Sequence, residues 1–251
     1  GSDVAALQTS AQRSDGHYLV NGSKLYITSG CRADLIVAAV RTDPDRSKRH
    51  VGLSLLVVEK TFVGFAASRK LRKMGWSASD TAELSFTDCQ VPVENRLGEE
   101  GSAFFAILRN FAAERLLLAA QCVAIAQLAY DESIAFAKLR TTFGKPLSRH
   151  QVIRHKLADM ATQLAAARAL VGECAVRCQR GEVVMSQLAM CKNTATDMCS
   201  FVVDQAVQIH GGLGYIRECI VERLYRDARL YPIGGGTREI MNEIIAQAEG
   251  Y

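Results

Sequence analysis

Glu114 is the residue of this chain whose type and setting point most directly to chemistry. It lies in an apolar, helix-forming run, 111–119, and its only charged neighbour in that run is Arg115. Much later in the chain, residues 234–237 read Gly-Gly-Gly-Thr. Glycines ahead of a helix let backbone N–H groups approach an anion, which the helix dipole also favours. The pattern favours a base that removes a proton from a cofactor-bound or CoA-bound substrate. The alternative is a solvated or ion-paired surface glutamate.

Three other segments interrupt regular structure with polar and glycine residues, at 26–30, 140–146 and 208–215. Arg140 can pair with a pyrophosphate through its fork of donors. A P-loop is excluded at Gly236-Thr237, because no lysine precedes the hydroxyl residue. For each glycine cluster, simple helix termination is the alternative.

Composition indicates a soluble globular chain. Of 251 residues, 49% are hydrophobic and 22% charged, with a net charge of +4. The densest basic stretch, 46–50, is interpreted as a polar loop, so nucleic-acid binding is disfavoured. No apolar run reaches the roughly 18 uninterrupted residues of a membrane span, and none is predicted.

The chain contains eight cysteines, none in a CxxC pair. Several lie among Ala, Val and Leu, where free cysteine acts as a small hydrophobic residue. No metal site is predicted, and a reducing compartment follows. The chain opens at Gly1 without a methionine, which is typical of a fragment.

The first ~95 residues predict strands and a hairpin at Asn21-Gly22, with further strands at 34–42, 51–60 and 81–91. From about Gly101 the pattern becomes helical. It predicts helices over 103–139, from a capping box at Ser148-Gln151 to about 181, from Ser186 to 211–212, and from Thr237 to about 250. We therefore predict an α+β fold: an antiparallel β-domain, 1–97, followed by a four-helix bundle, 98–251. The broadly apolar helices favour oligomerisation.

Taken together and in order, these segments resemble the acyl-CoA dehydrogenase family over essentially the whole chain. The segments that carry the resemblance include Gly1-Ser2-Asp3-Val4-Ala5, Asp15-Gly16-His17-Tyr18, Asn21-Gly22-Ser23-Lys24, Lys73-Met74-Gly75-Trp76, Arg140-Thr141-Thr142-Phe143-Gly144, 208–215 (QIHGGLGY), 225–229 (YRDAR) and 236–240 (GTREI). The resemblance implies a partial middle β-domain and a C-terminal helical bundle, with the family's N-terminal domain missing.

The resemblance also implies an activity. Members of this family bind FAD and oxidise an acyl-CoA to the trans-2-enoyl-CoA, with electrons passing to an electron-transfer flavoprotein. In most members the base stands in a Glu-Gly-Thr segment before the last helix, where this chain has Gly235. A branch resembling the isovaleryl- and long-chain-type enzymes instead places its glutamate on the first long helix, and Glu114-Arg115-Leu116 matches that pattern.

In this interpretation Glu114 is the base, and the Gly235 N–H polarises the thioester carbonyl. Burial among Phe111, Leu117 and Leu118 is expected to raise the pKa of Glu114. Arg115 is expected to point elsewhere, since adjacent helical residues diverge by about 100°.

The resemblance assigns further residues to the cofactor and the substrate. The FAD contacts it implies are Tyr26, Ile27, Thr28, Arg140, Phe143, Gln151, Gln208, Ile209, His210, Gly211, Gly212, Thr237 and Glu239, with the 208–212 segment often serving a neighbouring subunit. The acyl-CoA contacts it implies are Ser2, Phe105, Ala112, Ala113, Arg115 and Gly236. Three bland alternatives stand beside these: core packing for Phe143, helix-end packing for His210, and sheet core or rim for Trp76 and Tyr18.

A homotetramer, as a dimer of dimers, and a cytoplasmic or mitochondrial-matrix location complete the expectation, with the cytoplasm preferred. Two rival functions remain open. One is a flavin monooxygenase or nitroalkane-oxidase-like relative of the same fold, against which Glu114-Arg115 argues. The other is a non-catalytic helical interaction module. Acyl-chain length and branching stay undetermined by the sequence.

Overall fold

The computed structural model describes residues 1–45, 47–48, 50–182 and 185–251. These form two compact units, Gly1–Asn110 and Phe111–Tyr251. The predicted division at 97/98 stays a prediction. Of the predicted polar loop at 46–50, Arg46 and Arg49 lie outside the described residues.

The first unit is a sheet with strand order β5-β6-β2-β1-β3-β4-β7. Its strands are β1 (Ser10–Ser14), β2 (His17–Thr28), β3 (Leu35–Arg41), β4 (Leu53–Glu59), β5 (Phe65–Ala67), β6 (Thr81–Pro92) and β7 (Arg96–Leu97). Among the described residues, these strands pair in antiparallel fashion except for one parallel pair between β1 and β3, Ser10 with Arg41. The predicted order, a mostly antiparallel sheet followed by helices, is confirmed. The short strands β1, β5 and β7 escaped prediction.

The hairpin turn predicted at Asn21-Gly22 is wrong, because β2 runs straight through both residues. The turn lies instead at Asp15-Gly16, whose φ angles of 38° and 81° suit a tight turn, and it pairs Ser14 with His17. Gly22 has φ 134° at a register shift against β6. A Cβ there would lie 2.9 Å from the Thr9 Cα, so this glycine allows a bulge and a close backbone approach.

Alternating burial along β2 and β6 places one face of the sheet in the core. Tyr18 is fully buried, which confirms its expected place in the sheet core. Its hydroxyl donates to Glu100 Oε2 at 2.6 Å and accepts from Arg96 Nη1 at 3.1 Å. A buried tyrosine thereby keeps its polar end satisfied.

The helical part contains, within the described residues, α1 (Ala103–Leu139), α2 (Gln151–Gln179), α3 (Met185–His210), α4 (Ile220–Ala228) and α5 (Arg238–Glu249). A two-strand hairpin, β8 (Thr141–Thr142) and β9 (Lys145–Pro146), follows α1. The bounds predicted for α1 are confirmed, whereas the short α4 was not predicted. α2, α4 and α5 all pack against α3, so α3 forms the centre of this unit.

Of the three predicted caps, one is confirmed. The Thr237 side chain accepts a hydrogen bond from the Ile240 amide at 3.4 Å and caps α5. The capping box at Ser148 is wrong: a 3₁₀ turn holds that residue, and α2 begins after His150 without a side-chain cap. Ser186 is wrong as a cap because it lies inside α3 and is buried.

By length and composition alone, α1 could cross a membrane: an 18-residue window has a mean hydropathy of 1.4 and is 33% buried within the chain. A helix of a soluble bundle passes the same test. The absence of a membrane span therefore stays a prediction.

Candidate active site

Glu114 and the glycine turn 234–236 lie together in the second unit. A Cβ built on Gly235 would be 4.0 Å from the Glu114 carboxyl carbon and only 2.6 Å from Leu118 Cδ1. Gly235 and Gly236 have φ angles of 66° and 96°, which residues with side chains rarely adopt. Glycine suits this turn because of the backbone conformation and because a side chain would have no space. The half-buried Glu114 carboxylate therefore faces the backbone of the turn.

Arg115 reaches the same turn, so the expectation that it points elsewhere is wrong. Its side chain is buried, and its Nε donates to the Gly235 carbonyl at 3.3 Å. The guanidinium lies 5.9 Å from the centre of the Phe111 ring. Burial lowers the pKa of Arg115, and the negative charge of Glu114 opposes that shift. Adjacent helical positions diverge at the Cβ atom, but a side chain as long as arginine can still bend back to a shared neighbour.

Lys192 is a further polar group at the turn, and sequence reasoning missed it. It lies on α3, is 1% exposed, and its Nζ donates to the Gly236 carbonyl. Burial, and then the positive charge of Arg115, lower its pKa to about 8. It is the one charged residue of the segment 188–195, but nothing in that segment marks it as buried.

The turn also presents backbone donors at the N-terminus of α5. In the part of the chain that the structure describes, no acceptor is found for the amides of Gly235, Gly236 and Thr237. Free amides and the helix dipole together favour negative charge at this place. The neighbouring Glu239 is exposed, and hydrogen bonds from its own amide and from the Thr237 hydroxyl lower its pKa.

A carboxylate facing free amide donors can promote one kind of step. The carboxylate takes a proton from the carbon beside a carbonyl, and the amides stabilise the enolate oxygen that results. Glu114 and the amides belong to segments far apart in sequence, which the fold brings together. Among the described residues no cluster of three His, Cys, Asp or Glu could hold a metal, and the eight cysteines are free.

A second group of predicted residues lies at the end of the helical unit formed by the last turns of α1 and α3. Phe136 stacks on His210 with ring centroids 4.4 Å apart, and the Arg140 amide donates to the Phe136 carbonyl. This contact brings the β8–β9 hairpin and the 208–212 segment to one end. The buried His210 also donates from Nδ1 to the Ala206 carbonyl at 2.8 Å, which is the helix-end packing expected as its alternative.

The β8–β9 hairpin displays an aromatic ring to solvent. Phe143 has φ 50° beside Gly144 at 75°, and its side chain is 97% exposed, so the core-packing alternative is wrong. Arg140 and Gln151 flank it and are exposed as well. Gln208, Gly211 and Gly212 are exposed, whereas Ile209 is buried.

The two groups stand far apart within one chain. Lys192 marks the first group and His210 the second. The two residues are 18 positions apart on one continuous helix, which corresponds to roughly 27 Å. The predicted cofactor residues therefore do not form one continuous site in the helical unit of one chain. Thr237 and Glu239 belong with Glu114, and Arg140, Phe143, Gln151 and 208–212 belong with His210.

The remaining predicted residues are in the first unit or at the start of the second. Tyr26 has φ 60° and is 72% exposed at a register shift between Lys24 and Ile27. A positive φ at a tyrosine is an unusual backbone feature that often marks a functional position. Ile27 packs on the sheet core, while Thr28 and Ser2 are exposed. Ala112 is buried and Ala113 exposed.

One open pocket of about 750 Å³ lies in the first unit, and the predicted substrate residue Phe105 lines it. Its other lining residues are Thr42, Asp43, Pro44, Lys48, Val51, Gly52, Glu100, Gly101 and Ser102. The assignment of residues to cofactor or substrate stays a prediction throughout.

Comparison with known proteins gives the family. Residues 1–89 match the model of the acyl-CoA dehydrogenase middle domain, and residues 104–250 match that of the acyl-CoA dehydrogenase C-terminal domain. The sheet and the helical unit thus correspond to two successive domains of one dehydrogenase family. The chain belongs to the acyl-CoA dehydrogenase family.

Individual relatives agree. A crystal structure of a probable acyl-CoA dehydrogenase from Mycobacterium abscessus is 51% identical with a TM-score of 0.97, over 100% of this chain and 66% of that one. An acyl-CoA dehydrogenase of Bacillus subtilis is 42% identical over 98% of this chain and 65% of its own length. The mouse mitochondrial long-chain specific acyl-CoA dehydrogenase is 40% identical over 98% of this chain and 57% of its own length. The chain thus spans about three fifths of the curated relatives it matches.

Proposed function

We propose that the protein to which this chain belongs is an FAD-dependent acyl-CoA dehydrogenase that forms a trans-2-enoyl-CoA and passes electrons to an electron-transfer flavoprotein. The observation that carries the proposal is the position of Glu114, whose carboxyl carbon lies 4.0 Å from where a Cβ on Gly235 would be. Members of the family that carry a base in the last-helix segment would have it at that position. The carboxylate therefore occupies the same region from the opposite side.

In this proposal the residues of the chain have distinct tasks. Glu114 takes the α proton, and a free amide of the glycine turn, foremost that of Gly235, receives the developing negative charge of the thioester oxygen. FAD, when bound, accepts the hydride from the β carbon. Phe105, Ala112, Ala113, Ser2, Arg115 and Gly236 remain the proposed substrate contacts.

The residues proposed to hold FAD suit a large, partly aromatic anion. Phe143 and Tyr26 display exposed rings, and Arg140 supplies a cation next to the hairpin. A Cβ on Gly211 or Gly212 would meet no described residue within 4 Å, so these glycines border open space. The separation of the two groups within one chain supports sites completed by a second copy, in a homotetramer of two dimers.

Loss of the carboxylate tests the base directly. An acyl-CoA with α hydrogens but no β hydrogen, such as 3,3-dimethylbutanoyl-CoA, can be enolised but not dehydrogenated. In deuterated water the holoprotein is expected to exchange the α hydrogens of this compound, as followed by mass spectrometry. The Glu114→Gln variant should retain FAD but lose nearly all of this exchange, and nearly all turnover of an acyl-CoA that can be dehydrogenated. Glu132→Gln, on the same helix, is the matched control. Wild-type exchange and turnover by the Glu114→Gln variant would refute the assignment.

Anaerobic mixing with acyl-CoA separates this function from its rivals. A dehydrogenase bleaches its flavin without oxygen, a monooxygenase does not, and a non-catalytic module binds no flavin. A panel of straight and branched acyl-CoA esters tested in this way would also define the substrate. We place the protein in the cytoplasm or the mitochondrial matrix, as an interpretation of its free cysteines and its bacterial and mitochondrial relatives.

A further inference from the structure

We infer that Lys192 is a positioning residue: its ammonium, together with the Arg115 guanidinium, holds the carbonyls of Gly235 and Gly236 and so fixes the backbone of the turn that presents the Gly235 N–H to the thioester oxygen. This role rests on the function proposed above. Lys192 lies on α3 and Arg115 on α1, so side chains of two helices donate hydrogen bonds to the segment that leads into α5.

Peptide geometry links the carbonyls to the donors. The Gly235 carbonyl shares a peptide plane with the Gly236 N–H, and the Gly236 carbonyl shares one with the Thr237 N–H. Among the described residues no peptide bond is cis, so each N–H points away from its paired carbonyl. Fixing the carbonyls of Gly235 and Gly236 therefore fixes the amides of Gly236 and Thr237 directly, and it restrains the Gly235 N–H through the Cα atom that joins this amide to the Gly235 carbonyl.

The turn needs such a restraint because of its composition. Three successive glycines have more conformational freedom than any other tripeptide, and two of these adopt positive φ angles. A hydrogen bond from a charged donor is stronger than one from a neutral donor. Arg115 and Lys192 each supply one, to adjacent residues.

The burial of both cations calls for compensating contacts. Lys192 is 1% exposed and Arg115 3%, and a buried charge is costly unless it is paired or hydrogen-bonded. Within the described ranges neither forms a salt bridge. Besides the negative charge of the nearby Glu114, their compensation comes from the turn carbonyls, which supports a role in holding the turn. The buried Arg115 Nη1 has no hydrogen-bond partner among the residues that the structure describes.

A matched lysine separates positioning from simple stability. Lys156 on α2 donates to Gln205 Oε1 on α3 and so joins two helices without touching the turn. In the deuterium-exchange assay with 3,3-dimethylbutanoyl-CoA, we expect Lys192→Met to slow α exchange at saturating ligand at least tenfold. The dissociation constant of the ligand, measured by calorimetry, should change less than threefold. Lys156→Met should leave both quantities within twofold of wild type.

Two results overturn the role. One is a folded, ligand-binding Lys192→Met variant that exchanges at the wild-type rate; the other is an equal loss in Lys156→Met. The Glu114→Gln variant distinguishes failure of the proposed function from failure of the positioning role. If it exchanges normally, the proposed function fails. If it is inactive and Lys192→Met is not, only the positioning role fails.

A measurement on the wild type covers the case in which Lys192→Met does not fold. Burial sets the Lys192 pKa at about 8, and the groups that face its ammonium are Arg115, Glu114 and Cys122 of α1 and the Gly236 carbonyl. Arginine stays cationic in this range, and the pKa of Cys122 is raised. Exchange per bound ligand is expected to fall at least threefold between pH 7 and 9.5. A flat profile would contradict the role.

Discussion

The Leu118 side chain leaves no room for a side chain at Gly235: its Cδ1 atom lies 2.6 Å from the position that a Cβ on Gly235 would occupy. Leu118 stands one helical turn after Glu114 on α1. The same helix therefore supplies the carboxylate and fills the space that a side chain on the turn would need.

This relationship predicts how the base could be moved. Gly235→Glu alone should destabilise the protein, because it meets Leu118 and carries a positive φ. The triple variant Gly235→Glu, Glu114→Gly and Leu118→Ala is expected to regain part of the α exchange that the double variant Glu114→Gly and Leu118→Ala has lost. Initial exchange rates of the two proteins provide the measurement. No gain at all in a folded triple variant would contradict the facing geometry.

Gly236→Ala should weaken the fold, since Gly236 has φ 96° and an added Cβ would lie 2.8 Å from Met241 Cε. We expect a loss of about 1–3 kcal/mol in the free energy of unfolding. Gly234→Ala, in the same turn but with its nearest contact at 3.7 Å, is the control and should lose less. Urea unfolding followed by circular dichroism would compare them, and equal losses would argue against a special backbone requirement at Gly236.

Lys24 predicts a pH effect on the stability of the sheet. Its Nζ donates to the Ala39 carbonyl, and burial lowers its pKa from 10.5 to about 8. Between those values the unfolded chain holds the proton and the folded chain does not, so stability rises with pH. Relative to Lys24→Met, wild type should gain about 1–3 kcal/mol from pH 8 to 10.5 and change little below pH 7. Denaturant titrations at several pH values would show it, and a constant difference would contradict it.

Phe143→Ala should separate flavin retention from folding. The ring is 97% exposed, so its loss is expected to change the free energy of unfolding by less than about 0.5 kcal/mol. If the hairpin holds FAD, the purified variant should carry less flavin per protein, as read from its visible absorbance. Val63→Ala, at an 88% exposed position in the sheet unit, is the control. Undiminished flavin in Phe143→Ala would remove this residue from the proposed cofactor contacts.

Patterns that depend on local chemistry were predictable from the sequence. The unbroken helical periodicity of 103–139 gave the bounds of α1, and Thr237 capped its helix as a hydroxyl ahead of a helical run should. The turn predicted at Asn21-Gly22 was wrong because this dipeptide is compatible with a turn and also with a bulge. Thr9, remote in sequence, decides between them by its close approach.

The candidate site shows the same limit. The sequence indicated Glu114 and the glycine turn, because a carboxylate and a glycine cluster stand out from apolar surroundings. Lys192 did not stand out, since a single lysine in a helix is usually solvated and only packing reveals that this one is buried on a carbonyl. Likewise, helical periodicity does not give the direction of the Arg115 guanidinium, because the long side chain bends back to the turn.

The glycine turn contributes backbone and no side chain. Under the proposed function it recognises the thioester that all acyl-CoA molecules share and carries no information about the rest of the acyl chain. Preference for one fatty acid over another must then come from other proposed substrate contacts, such as Ala112 and Ala113 on α1. Substrate range could therefore diverge among descendants of this sequence while the reacting groups stayed unchanged.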